Sequence, residues 1–234
     1  CEQSEVSISD DIVRVKGEPY AFAEIVKLAY MSRVQLSAAG FYKTPKISFD
    51  FGTQSGQPFF YFANGAAATE VIVDIRTGEY RITQVDILHD VGESLNPALD
   101  IGQIEGGYIQ GMGWLTTEEL KWDEQGHLIS NSPANYKIPT AYDVPPIFNV
   151  SLYDEANTED TIYRSKAVGE PPLMLGISAW CALRDACASI ADYKLSPTMN
   201  APATSEEVYR CIREIQNAQG AECALAQGEE NAKT

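Results

Sequence analysis

Proton abstraction near neutral pH needs a carboxylate subject to two opposed influences, and the segment around Glu170 offers both. It reads Arg164-Ser165-Lys166-Ala167-Val168-Gly169-Glu170-Pro171-Pro172-Leu173. The two prolines place Glu170 at the cap of a predicted helix, because proline suits first helical positions, where no amide donor is required. The positive end of that helix favours the ionised carboxylate, whereas burial in an apolar pocket favours the neutral acid. A group set between those pushes can serve as a general base. Gly169, without a Cβ, lets the backbone approach something bulky. The bland reading is that an acid before proline is a common helix start. Gly17-Glu18-Pro19, also predicted to precede a helix, is a second instance in the same chain. The tripeptide alone therefore does not separate a base from a cap.

A second segment is unusual in its glycines. Asn96-Pro97 opens a predicted helix in or near which lie Gly102, Gly106, Gly107, Gly111 and Gly113. Each costs about 1 kcal/mol relative to alanine inside a helix. So many in one element imply that another backbone or a bulky ligand packs closely against it, with tight helix-to-sheet packing as the plainer alternative. Metal ligation by this chain alone is not expected. His89 and His127 are the only histidines, and the five cysteines (Cys1, Cys181, Cys187, Cys211, Cys223) form no CxxC pair. Zinc and iron–sulfur sites need such clusters. Unpaired thiols fit a reducing, cytoplasmic setting.

The elements that must position these residues form an α+β pattern of antiparallel hairpins with packed helices. Phe22, Ile25, Val26, Ala29 and Val34 predict a helix over 19–36, started by Pro19. Val71, Val73 and Ile75 alternate with polar or outward positions, and Thr77-Gly78 turns the chain into a second strand over 82–88. Residues 119–122 and 127–130 flank a Gly126 turn and predict another hairpin, and 147–153 predict a strand. Pro171-Pro172 start a buried helix to about Ile190. Thr204 to Glu207 offer a capping box for a last helix, with a frayed tail over 218–234.

The chain carries 17 Lys and Arg against 33 Asp and Glu, a formal charge of −16. That excess argues against nucleic acid phosphates or an anionic lipid surface as partner. The most apolar long stretch, 173–190, contains Arg184 and Asp185, so no membrane span is expected, and no signal peptide pattern opens the chain. It begins on Cys1-Glu2-Gln3 rather than methionine, as expected of a piece of a longer protein.

Several blocks, in order, resemble one family. Residues 165–173 are similar to the active-site motif of the xanthine dehydrogenase and aldehyde oxidase family of molybdenum hydroxylases. So are Asp90-Val91-Gly92, Ser94-Leu95-Asn96-Pro97-Ala98 and Asp100-Ile101-Gly102-Gln103-Ile104-Glu105-Gly106. Gly40-Phe41-Tyr42-Lys43-Thr44-Pro45, Tyr136-Lys137-Ile138-Pro139 and Ala201-Pro202-Ala203-Thr204 extend the likeness. The resemblance implies that 1–217 are the C-terminal portion of a molybdopterin-binding domain. It implies that the glutamate at 170 takes a proton from the hydroxyl on molybdenum while a purine such as hypoxanthine or xanthine gains oxygen derived from water. It implies that Gln103 and Gly169 contact the molybdenum–molybdopterin cofactor. The 2Fe–2S clusters and FAD, through which electrons reach NAD, would lie on other segments or subunits, as would the remainder of the molybdenum subunit and most groups that recognise substrate. An aldehyde oxidase or another N-heterocycle hydroxylase shares the motif. A non-catalytic module that keeps the fold is the alternative from a different class, and the presence of Glu170 argues against it.

Overall fold

A computed structural model describes residues 2–231, of which the side chains of 221–231 are excepted. The chain divides into two compact units, Cys1–Pro58 and Phe59–Thr234, a boundary the sequence reading did not place.

The first unit holds a three-stranded antiparallel sheet of β1 (Val6–Ser9), β2 (Ile12–Val15) and β3 (Glu18–Ala21), followed by α1 (Phe22–Met31). A short hairpin of β4 (Ser48–Asp50) and β5 (Ser55–Gln57) completes it. The expected helix start at Pro19 is corrected here, because Glu18 and Pro19 lie in β3. Lys16 and Gly17 both take positive φ, 53° and 90°, and form the tight turn that pairs β3 with β2. β3 is an edge strand, where a missing amide is tolerated. Gly17-Glu18-Pro19 is thus a hairpin signal, not a second helix cap.

The second unit is built on a sheet of β6 (Gly65–Val73), β7 (Tyr80–His89) and β8 (Ile147–Leu152). β6 and β7 form the antiparallel hairpin expected around Thr77-Gly78, with Gly78 at φ 76°. β8 pairs parallel to β7 from Gln84↔Ile147 to His89↔Leu152, so the sheet is mixed. The hairpin expected at 119–130 reduces to one bridge, Trp122↔Leu128, around a turn held by Asp123.

Val85, Ile87 and His89 alternate along β7 and face inward. They meet α2 (Pro97–Thr116), whose Ile104, Tyr108 and Met112 recur at helical spacing on the buried face. Asn96 caps α2 by accepting the Leu99 amide at 3.3 Å. The predicted helix from Pro171 is two elements: a six-residue 3-10 turn, Pro171–Gly176, and then α3 (Ile177–Ser189). A second core joins α3 to α4 (Ser205–Asn231) through Leu183, Cys187, Val208, Cys211 and Ile212. Thr204 Oγ1 accepts the Glu207 amide at 3.3 Å. The Glu207 carboxylate turns instead to the Asn200 amide and Arg210, so only half of the capping box forms. α4 runs past Ala218, where the tail was expected, and 232–234 lie outside the described residues.

Candidate active site

The glycines of α2 divide into two sets. A Cβ on Gly107 would lie 2.9 Å from Pro172 Cβ and 3.2 Å from the Leu173 amide. One on Gly111 would run into the Leu173 carbonyl, and one on Gly176 into the backbone of Gly111 and Met112. The 3-10 turn therefore lies on α2 backbone to backbone. Gly113 makes room for Pro139 and Glu118, whereas Gly102 and Gly106 face open space. The expected close packing belongs to Gly107 and Gly111, whose partner is the turn that follows Glu170, and to Gly113, whose partners are Pro139 and Glu118.

Each residue leading to Glu170 is held in turn. The Ser165 backbone bridges Gly92, and the Lys166 amide donates to Val91 O at 2.7 Å. The Ala167 amide donates to the Tyr61 hydroxyl at 3.0 Å. Val168 packs on the core of Val91, Ile104 and Tyr108. A Cβ on Gly169 would lie 3.7 Å from Gln103 Oε1, so the two candidate cofactor contacts are neighbours. Pro172 is fully buried against Gly107. Behind this segment Asn157, 1% exposed, donates to Thr161 Oγ1 and Ser165 O and accepts the Glu159 amide.

Glu170 itself is exposed and makes no cap hydrogen bond. The two influences expected from sequence are therefore changed: the element it precedes is a short 3-10 turn rather than a long helix, and no apolar pocket of the described residues closes over the carboxylate. What the fold does supply is a fixed origin for the side chain. Gln103 is likewise exposed, beside Gly102 and Gly106, which leave the surface of α2 open. An amide that both donates and accepts, a carboxylate and a stretch of bare helix backbone fit the edge of a flat, polar group such as a pterin.

His89 is 1% exposed with Nδ1 unpartnered, and burial pushes its imidazole below the ordinary value. His127 binds Asp123 across its turn at 3.0 Å. No group of three or more His, Cys, Asp or Glu among the described residues could hold a metal, and no helix there is long and apolar enough to cross a membrane. Cys181, Cys187 and Cys211 are free thiols, while Cys1 and the Cys223 side chain lie outside the described residues. Burial raises Cys187 to about 11 and Cys211 to about 12, which suits inert core thiols.

Sequence reasoning missed the Tyr61 hydroxyl and the contact between Lys166 and Asp90. Both blocks were visible, but nothing in their spacing shows that they meet.

Residues 1–145 match the sequence profile of the molybdopterin cofactor-binding domain. Xanthine dehydrogenase of Oryza sativa subsp. japonica is 44% identical over 215 residues, 87% of this chain and 16% of that protein. Aldehyde oxidase 2 of Macaca fascicularis is 46% identical over 186 residues, 78% of this chain and 14% of that one. Quinoline 2-oxidoreductase from Pseudomonas putida 86 superposes with a TM-score of 0.62 at 28% identity, covering 90% of this chain and 26% of its own. The chain thus spans a small part of the length of the curated relatives it matches.

Proposed function

Since the chain belongs to the molybdopterin cofactor-binding domain family, within the xanthine dehydrogenase and aldehyde oxidase group, we propose that it carries the general base of a molybdenum hydroxylase acting on hypoxanthine- or xanthine-type purines. One observation carries the reading. Gln103 and the Gly169–Glu170 segment, drawn from separate blocks of sequence, come together on one exposed surface, with Glu170 at the start of a turn packed on bare helix backbone.

When bound, the cofactor supplies the redox chemistry, and the protein supplies position and electrostatics. The Gln103 amide would hold a polar edge of it, and Gly169 leaves the space a side chain would fill. Glu170 would take, at a carboxylate oxygen, the proton of the water-derived hydroxyl whose oxygen attacks an electron-poor ring carbon, and the hydride that this carbon loses would pass to the bound cofactor. Segments outside this chain would close the site and exclude water. The partners in this reading are the rest of the molybdenum subunit and the domains or subunits that carry 2Fe–2S clusters and FAD, with NAD as electron acceptor.

Aldehydes or other N-heterocycles are the second reading, supported by the 46% identity to an aldehyde oxidase. The test is metal analysis and a substrate panel on the complete enzyme. Stoichiometric molybdenum with xanthine-dependent NAD reduction is expected. Turnover of aldehydes with xanthine untouched would overturn the purine assignment, and an enzyme without molybdenum would overturn the whole.

A further inference from the structure

Two blocks that the sequence presents separately are clasped together by side chains as well as backbone. Lys166 Nζ lies 2.5 Å from Asp90 Oδ2 and donates to Phe62 O at 3.0 Å. The two side chains are only 11% and 14% exposed. Exposed pairs of this kind contribute little, but a pair so far withdrawn from water leaves an uncompensated charge when one partner is removed. Asp90 Oδ1 meanwhile accepts the Gly92 amide at 2.9 Å, so a single carboxylate orients both its own turn and the lysine. Gly92 takes φ 62°, and a Cβ there would run into Arg164 O. The Glu93 amide reaches that same carbonyl at 3.0 Å. The contacts therefore converge on residues 164–166, and the chain beyond them leads through Val168 and Gly169 to Glu170.

We propose that the Lys166–Asp90 ion pair is a clasp that sets the position of the Glu170 carboxylate, which makes Lys166 a positioning residue. It acts through the backbone and touches no reacting atom. The inference rests on Glu170 being the base, since only then does its placement govern rate. A clasp of this kind should affect kcat more than substrate binding, because misplacement by about 1 Å costs on the order of a hundredfold in rate.

The experiment compares Lys166→Met, Lys166→Arg, Asp90→Asn and Glu170→Gln in the complete enzyme. It reads kcat, KM, molybdenum content and amide hydrogen exchange over residues 164–170. Lys166→Met is expected to lower kcat by about a hundredfold while KM and molybdenum content stay near wild type and exchange over 164–170 quickens. Lys166→Arg should recover part of the loss, and Asp90→Asn, which keeps the bond to Gly92, should fall between. The clasp is overturned if Lys166→Met keeps wild-type kcat while Glu170→Gln is inactive, or if exchange over 164–170 is unchanged. Loss of molybdenum from both Lys166→Met and Asp90→Asn overturns it as well, since the pair would then anchor the cofactor or the fold. An active Glu170→Gln enzyme sinks the base assignment itself, and with it the positioning role.

Discussion

Gly111→Ala and Gly106→Ala change the same helix by one methyl group each and should act in opposite directions. Both exchanges gain about 1 kcal/mol of helix propensity. At Gly106 nothing lies within 4 Å of the new Cβ, so that gain stands alone. At Gly111 the methyl runs into the Leu173 carbonyl oxygen and comes within 3.0 Å of its carbon, atoms of a backbone that cannot rotate aside. Pro172, fully buried in the same 3-10 turn, restricts movement further. Overpacking costs about 1–3 kcal/mol, and a clash with backbone that cannot move aside falls in the upper part of that range, about 2–3 kcal/mol, so after the propensity gain Gly111→Ala should be net destabilising by about 1–2 kcal/mol. The two variants should therefore differ by about 2–3 kcal/mol, or roughly 4–12 °C in the melting of a unit this size. Urea and thermal denaturation of both variants, followed by circular dichroism, measure the difference. A Gly111→Ala protein as stable as Gly106→Ala would refute the backbone-on-backbone packing of α2 with the turn after Glu170.

Replacing Asn96 by alanine should cost the Phe59–Thr234 unit about 1 kcal/mol in urea denaturation through loss of the bond to the Leu99 amide, and serine should restore most of it. Glu207 is held at about 2, down from 4.5, chiefly by its bidentate bonds to Arg210. Its contribution is therefore fully present above pH 4.5 and is lost as pH falls through about 2. Arg210→Met should cost about 2 kcal/mol at pH 7, discounted for the half-exposed arginine, and the gap to wild type should close between pH 4.5 and 2. Residues 1–234 expressed alone should bind no molybdenum, because the walls that enclose a ligand must come from elsewhere. Stoichiometric metal on the purified chain would contradict that.

What the sequence made legible is mostly local. The β6–β7 hairpin followed from alternation and Thr77-Gly78, and the start of α2 followed from Asn96-Pro97, because caps, turns and alternation act between near neighbours. Pro19 misled for a local reason too: proline opens helices and also sits on edge strands, and only the pairing of β3 with β2 decides between them. The break at Gly176 was hidden because it depends on Gly111, on a different helix. The same holds for the parallel docking of β8 beside β7 and for the Lys166–Asp90 pair, which join residues whose separation carries no signal. Glu170, Gln103 and Gly169 could be named from motifs, but their proximity is a property of the packed helix and turn. The enclosure expected around Glu170 is not formed by the described residues, since the burial of a side chain is not local to its motif.

The central claim is that the Glu170 carboxylate accepts the proton. It is tested most directly by the rate at which xanthine reduces the complete enzyme anaerobically in a single turnover, with wild type and Glu170→Gln compared at equal molybdenum content. Glutamine keeps the size and removes the basic oxygen, so reduction should slow by about 10²–10⁴-fold while molybdenum content and folding are unchanged. A Glu170→Gln enzyme reduced within about tenfold of the wild-type rate would place the base elsewhere.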